Sequence, residues 1–295
     1  MVIVIVGPTA VGKTKLSIEL AKKLNGEVIN ADSTQVYKGL DIATAKATKE
    51  EMKDIVHHLI DIKDITQNYT VYDYQQDTRI KIKDILSRGK IPILVGGTGL
   101  YIKAALYDYE LKEEKSVEDI YSHWETEKLY ERLLQVDPNT NIHPHNRQRI
   151  IRSLEYYDIH KKPLSDKKPS NQLLYDTVFI GLTTQREVLY EKINKRTHLM
   201  LEEGLLEEAK EIFDLNIRTK AVMTPIGYKE LFPYFEKKKS LEECLEDIKK
   251  SCRHYAKRQY TWFRHQMDIN WFETNYDNFN KTVEEVEKYI KQWSI

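Results

Sequence analysis

The eight residues Gly7-Pro8-Thr9-Ala10-Val11-Gly12-Lys13-Thr14 constrain the fold of this chain more than any other stretch. They follow the apolar run Val2–Val6 directly and fit the pattern G-x-x-x-x-G-K-[ST]. After them, Leu16, Leu20 and Leu24 recur at helical spacing. A buried strand, a glycine loop and a helix in that order form the setting in which this motif binds phosphate. The glycines let backbone N–H groups turn inward, and the helix start adds the positive end of its dipole. Lys13 places a point charge on the outer phosphates, and the Thr14 hydroxyl is the expected Mg²⁺ ligand. By itself such a loop points to ATP or GTP and leaves open which phosphate compound it holds.

Residues 1–106 continue to alternate strand and helix signals. Glu27–Asn30 and Ile91–Val95 are expected strands, with His57–Ile60 a possible further one, and Val71–Ser87 is expected to be a helix. Such alternation predicts an α/β fold: a P-loop NTPase-like parallel sheet flanked by helices. From Lys112 the apolar strands vanish, and residues 112–175 become charged and helical, broken by Pro138, Pro144, Pro163 and Pro169. A strand signal returns at Thr177–Leu182. Helical spacing follows over Arg186–Leu215, with a break or cap at Gly204, and again over Leu241–His265. The expected organisation is an α/β core over 1–111 and 176–295 with a helical insertion domain over 112–175.

Composition narrows the class without deciding the function. At 295 residues, with 41% hydrophobic and 31% charged, the chain can bury a substantial core. Lys+Arg 46 against Asp+Glu 46 gives no net charge, so only local clusters can argue for nucleic acid. Cys244 and Cys252 are too few for a disulfide framework, and no Cys/His cluster has zinc spacing. Eight residues apart on an expected helix, they read best as packing groups. The first apolar run is too short for a signal peptide or a membrane span, so a reduced, cytoplasmic protein is expected.

Three further features carry chemistry. Asp32 follows the second strand and should reach the sheet edge beside the phosphate loop, where open α/β sheets bind ligands. There it could bind metal or accept a proton; an Asp-Ser turn is the plain alternative. Ile91–Val95 ends in Gly96-Gly97-Thr98-Gly99 and supplies no Mg²⁺-binding carboxylate, which disfavours an ordinary ATPase. From Lys249 to His265 there are six Lys/Arg and no Asp or Glu, with Tyr255, Tyr260, Trp262 and Phe263 interleaved. That stretch suits RNA phosphates, or else a helix that packs its aromatics inward, Trp262 and Phe263 above all.

The stretch Ala31 to Lys46, "ADSTQVYKGLDIATAK", taken with "GPTAVGKT", resembles the bacterial tRNA dimethylallyltransferases, also called tRNA isopentenyltransferases. "HHLIDI", "PILVGGTGLYIKAAL", "IHPHNRQRIIRSLE", "REVLYEKINKRTHLMLEEGL", "IGYKEL" and "YAKRQYTWFR" resemble further family blocks in the right order, over nearly the whole chain. The resemblance implies transfer of a dimethylallyl group from dimethylallyl diphosphate to the exocyclic amine of the adenine just 3′ of the anticodon, in tRNAs reading codons that begin with U. It implies a catalytic base at Asp32, with Thr9 at the bridging oxygen and Arg196 on the diphosphate, and Arg186 as a weaker second cation. Gly7, Pro8, Thr9, Ala10, Val11, Gly12, Lys13 and Thr14 would then hold a prenyl diphosphate with Mg²⁺. Asp32, Ser33, Thr34 and Gln35 would meet the flipped base, and Thr98 would contact the tRNA near the channel. Gln148, Arg149, Ile150, Ile151 and Arg152 of the insertion, with Lys257, Arg258 and Arg264, would hold the anticodon stem-loop. No obligate protein partner is implied, and a monomer is expected. The family usually has Gly where Ala43 stands, a change that matters if that backbone needs positive φ.

Overall fold

The computed structural model describes residues 1–109, 111, 120–166 and 171–293. The chain divides into two compact units, one formed by Met1–Tyr107 and Leu173–Ile295, the other by Asp108–Gln172. Lys112 and the expected break at Pro169 lie outside the described residues.

The larger unit is built on β1 (Val2–Val6), five apolar residues that are all buried. It is followed by α1 (Lys13–Leu24), β2 (Gly26–Asn30), α2 (Lys49–Met52), β3 (His57–His58), α3 (Val71–Ser87), β4 (Ile91–Val95) and α4 (Gly99–Leu106). The six-stranded sheet runs β3-β2-β4-β1 and is completed by β5 (Thr177–Thr183) and β6 (Asn270–Glu273). Every pairing in it is parallel. Side chains alternate between faces with a period of two. Val2, Val4, Val6, Ile29 and Leu94 join one core with Tyr74, Ile82 and Ile85 of α3. Ile3, Ile5, Val28 and Ile93 join the other with Leu16 and Leu20 of α1. Coverage on both faces is why β1 and β4 read as continuous apolar runs.

Local chemistry fixes the element ends. Thr70 and Asp73 form a capping box at the start of α3. Asn25, at φ 52, closes α1 with a left-handed cap whose N–H reaches Ala21 O. The strand expected over His57–Ile60 stops at His58 because Leu59 turns to φ 62. After α5 (Thr126–Val136) and α6 (Arg147–His160) of the smaller unit, Gly204, at φ 102, breaks the expected long helix into α7 (Arg186–Glu202) and α8 (Leu205–Asp214). They lead to α9 (Lys220–Met223), α10 (Tyr228–Phe235) and α11 (Leu241–Gln266), the last begun by a Ser240–Glu243 capping box. β6 and the closing helix α12 (Phe279–Trp293) were not among the expected elements. β6 is four residues long with no buried residue, so its alternation is too brief to read. In α12, Val283, Val286 and Ile290 do keep a helical apolar spacing and pack into the second core.

The smaller unit has its own core. Leu129, Leu133 and Val136 of α5 (Thr126–Val136) meet Ile150 and Leu154 of α6 (Arg147–His160), with Tyr121 and Ile142. Among the described residues no helix is long and apolar enough to cross a membrane.

Strand order decides what can form a site. Because β2, β4 and β1 are neighbours, the loops leaving their C-terminal ends share one sheet edge. Gly96 makes that edge close-packed. Its N–H donates to Ile5 O, and a Cβ built on it would lie 2.2 Å from the Ala31 carbonyl. Gly96→Ala must push the β2 and β4 loops apart, a backbone overpacking expected to cost about 2–3 kcal/mol. A matching fall in urea-unfolding stability is the expected result, and an unchanged midpoint would show that the edge has slack.

Candidate active site

A cavity of about 480 Å³ opens at this edge. Its lining brings together Thr9, Lys13 and Thr14 of the phosphate loop, Asp32 to Gln35 after β2, and Gly96 after β4. Ile193, Arg196, Thr197 and Met200 come from α7, and Cys252, Tyr255, Arg258 and Gln259 from α11. Both sets follow the three-and-four spacing that keeps residues on one helix face. Arg196 therefore faces the cavity, not solvent.

The phosphate loop is held from several sides. Lys13 Nζ donates to Pro8 O at 2.7 Å. Arg196 Nη1 donates to Thr9 Oγ1 at 2.6 Å, and Thr9 N donates to Gln259 Oε1 at 3.0 Å. Gln259 Nε2 in turn donates to Gly97 O at 3.1 Å, so one buried amide couples the phosphate loop to the end of β4. Burial pulls the Lys13 pKa down to about 8, against the pull of Asp32 in the opposite direction and with a smaller push from Arg196. Burial also lowers Arg196 below the usual guanidinium value. Two cations thus stand partly desolvated with no carboxylate in hydrogen-bond contact among the described residues, a charge state suited to receiving an anion.

Asp32 is fixed both in backbone and in side chain. Its N–H donates to Asn30 Oδ1 at 2.9 Å, and Asn30 Nδ2 donates to Asp32 O at 3.0 Å. Thr34 N and Thr34 Oγ1 both donate to Asp32 Oδ1, at 2.9 and 2.6 Å. Oδ2 has no hydrogen-bond partner among the described residues and remains able to accept a proton. Ser33 N donates to Thr98 Oγ1 at 3.1 Å, which ties this loop to the start of α4. Gln35 Nε2 donates to Thr44 O at 3.0 Å and Ala45 O at 3.3 Å, leaving Oε1 as an acceptor. In that loop Gly39 and Ala45 are left-handed, at φ 70 and φ 48, and Ala43 is not. The Ala43 substitution therefore carries no positive-φ strain.

Other expected positions sort by exposure. Gln148, Arg149 and Arg152 are exposed on α6, and Ile151 is half-buried. Ile150 is fully buried in the core of its unit. Its side chain is taken up by that core, as suits an apolar residue one turn into an amphipathic helix, so a contact with RNA there would fall to its backbone. Lys257, Arg258 and Arg264 are exposed on α11, with the Arg264 guanidinium 5.0 Å from the Tyr260 ring centre. Phe263 is fully buried, and Trp262 packs on Gly99 so closely that a Cβ there would lie 2.1 Å from its ring. Cys244 is buried and unpaired. Cys252 lines the cavity, where burial pushes its thiol up to about 11. Arg186 is exposed, bonded to Tyr190, and not part of the cavity lining. Gln259 is a site residue that the sequence marks only faintly: it stands inside "YAKRQYTWFR" as an amide at helical spacing from the buried Ala256 and Phe263.

A Mg²⁺ ion fits this donor set only in one way. Among the described residues no group of three or more His, Cys, Asp or Glu is placed to hold a metal. Thr14 is exposed at the start of α1, and its hydroxyl has no hydrogen-bond partner among the described residues. An ion here would be held by substrate phosphate oxygens, water and Thr14, the mode that Mg²⁺ favours.

Comparison with known proteins places the chain. The family described as IPP transferase matches residues 35–266. The tRNA dimethylallyltransferase of Anoxybacillus flavithermus is 48% identical over 98% of this chain and 96% of its own. That of Geobacillus thermodenitrificans is 48% identical with the same coverage. Among solved structures, the tRNA isopentenylpyrophosphate transferase of Bacillus halodurans is 43% identical with a TM-score of 0.77, over 99% of this chain and 96% of that one. A eukaryotic dimethylallyltransferase acting on tRNA is 34% identical with a TM-score of 0.86, over 99% of this chain and 79% of that one.

Lys13 offers a direct check on this electrostatic picture. With its pKa lowered to about 8 from 10.5, the unfolded chain binds more protons than the folded one between those values. Folding stability therefore rises with pH across that window. Lys13→Met removes the cost of burying the charge, so its stability advantage over the parent should be full below pH 8 and shrink as pH approaches 10.5. Urea unfolding of both proteins at about pH 7 and about pH 10 measures this. A pH-independent difference would contradict the buried charge.

Proposed function

The chain belongs to the IPP transferase family, and on that premise we propose how it acts. It transfers a dimethylallyl group from dimethylallyl diphosphate to the exocyclic amine of the adenine 3′-adjacent to the anticodon, in tRNAs that read codons beginning with U, and releases diphosphate. The observation that carries this proposal is the shared cavity: two partly desolvated cations and a phosphate loop on one side, and a carboxylate with an open oxygen on the other.

The adenine amine is a poor nucleophile because its lone pair is delocalised into the ring. As the C–N bond forms, the amine proton passes to Asp32 Oδ2, while Thr34 holds Oδ1 and so fixes the carboxylate plane. The C–O bond to the diphosphate breaks, and negative charge grows on the bridging oxygen and the phosphates. Lys13, Arg196 and the loop N–H groups meet that charge. Thr9 has a defined part in this step. Its oxygen already accepts from Arg196, so its own proton is free to be donated to the bridging oxygen. Mg²⁺, bound by the diphosphate and Thr14, would neutralise leaving-group charge.

The acceptor base must leave the stack of the anticodon loop to reach Asp32, at a cost of a few kcal/mol. Gln35 presents an acceptor, because both its N–H groups are committed to carbonyls, and an acceptor matches the adenine amine but not a guanine carbonyl. Gln148, Arg149 and Arg152 on α6, and Lys257, Arg258 and Arg264 on α11, supply phosphate contacts. One chain supplies every residue in this account, so a monomer suffices, working in the cytoplasm on tRNA.

Asp32→Asn is expected to lower turnover on unmodified tRNA by roughly 10²–10⁴-fold while leaving the affinity for inorganic diphosphate within about twofold. Prenylated adenosine released by nuclease digestion of the tRNA reports the rate. Full activity in this variant would remove Asp32 as the base.

A further inference from the structure

The turn between β6 and α12 touches the outer side of the phosphate loop at three places. Thr274 Oγ1 donates to Val11 O at 2.9 Å, and the contact is buried. Tyr276 OH donates to Ala10 O at 3.1 Å. The Phe279 ring lies against Gly12, where an added Cβ would be 2.7 Å from Cε2. These partners are more than 260 positions apart in sequence, and the whole turn lies beyond the span matched by the family, residues 35–266.

Ala10 is the reason such support is needed. It holds φ 67, between Gly7 at φ 141 and Gly12 at φ 88. Left-handed residues within such a loop turn successive N–H groups to one side and make an anion-binding concavity. Glycine enters that region freely, whereas an L-alanine does so at a cost. The same rotation that turns the N–H groups inward turns the carbonyls of Ala10 and Val11 outward, and those are the two carbonyls that Tyr276 and Thr274 bind.

The turn is itself well braced. Thr274 N donates to Thr183 O of β5 at 2.8 Å. Asn275 N donates to Thr282 Oγ1 at 2.9 Å, and Asn275 Oδ1 accepts from Asp277 N and Asn278 N. Lys192 Nζ sits 4.4 Å from the Tyr276 ring centre and Lys15 Nζ 4.8 Å from that of Phe279. Both cations are thereby held beside the loop.

We propose that Thr274, Tyr276 and Phe279 are positioning residues that hold Ala10 in its left-handed conformation and so keep the phosphate loop formed before diphosphate arrives. They touch no substrate. They act by sparing the diphosphate the cost of ordering the loop, which a preformed site avoids. The inference rests on the reading that this loop binds a diphosphate.

Calorimetric titration with inorganic diphosphate tests it, with the affinity for unmodified tRNA measured alongside. Tyr276→Phe keeps the ring and Thr274→Val keeps the shape, and each removes one hydroxyl. Each is expected to weaken diphosphate binding about fivefold, and the pair together more than tenfold, while tRNA affinity stays within about twofold. Thr274→Ser, which retains the hydroxyl, should bind like the parent. Ala10→Gly should suppress the Tyr276→Phe defect to within about twofold, because glycine needs no help at positive φ. The inference is overturned if the double variant binds diphosphate as tightly as the parent, if diphosphate and tRNA affinities fall together, or if Ala10→Gly gives no relief. A parent protein that fails to bind inorganic diphosphate would instead overturn the reading of the loop itself, and the inference with it.

Discussion

The structure depends on the burial of β1 between β4 and β5. Five consecutive apolar residues, covered on both faces, leave this strand one place in the sheet, and parallel pairing then sends every neighbouring loop to the same edge. β2 pairs with β4 in register from Gly26 to Asn30, so Asp32 leaves the sheet beside Gly96. Phosphate loop, carboxylate and glycine turn are brought together by strand order before any side chain of the site makes a contact. Helix faces then add what the edge lacks: Arg196 from α7, and Gln259 and Tyr255 from α11.

This arrangement explains how a loop familiar from nucleotide enzymes can serve carbon chemistry. In the proposed reaction the loop grips a diphosphate through N–H groups and cations and is indifferent to what the diphosphate is attached to. The neighbouring residues set the reaction. Ile91–Val95 ends in glycines that bring no carboxylate, the first of which, Gly96, presses against the Ala31 backbone. Asp32 instead comes from the β2 loop, with one oxygen held by Thr34 and the other open.

What the sequence discloses follows from which interactions are local. The phosphate loop, the strands at Val2–Val6 and Ile91–Val95, and the helices at Lys13–Leu24 and Val71–Ser87 depend on period and turn chemistry within a few residues, and they stand where the pattern puts them. The Gly204 break and the capped start of α11 are local in the same sense. Features joining distant segments are not legible in this way. Gln259 meets Thr9 across 250 positions, and Tyr276 meets Ala10 across 266. Arg196 on a charged helix looks like a solvated residue until α11 is packed beside it. Ile150 shows the opposite limit: carried along with its exposed neighbours in a basic block, it belongs to the core of its unit.

The central claim is that the diphosphate held by the loop is the leaving group and that the carbon attached to it is what moves. Dimethylallyl diphosphate carrying one label in the dimethylallyl carbons and a second in the phosphorus separates the possibilities most directly. After incubation with the protein, unmodified tRNA and Mg²⁺, the carbon label should be found in the RNA and the phosphorus label entirely in free diphosphate. Phosphorus label in the RNA, or carbon label absent from it in a protein that binds both substrates, would contradict the account.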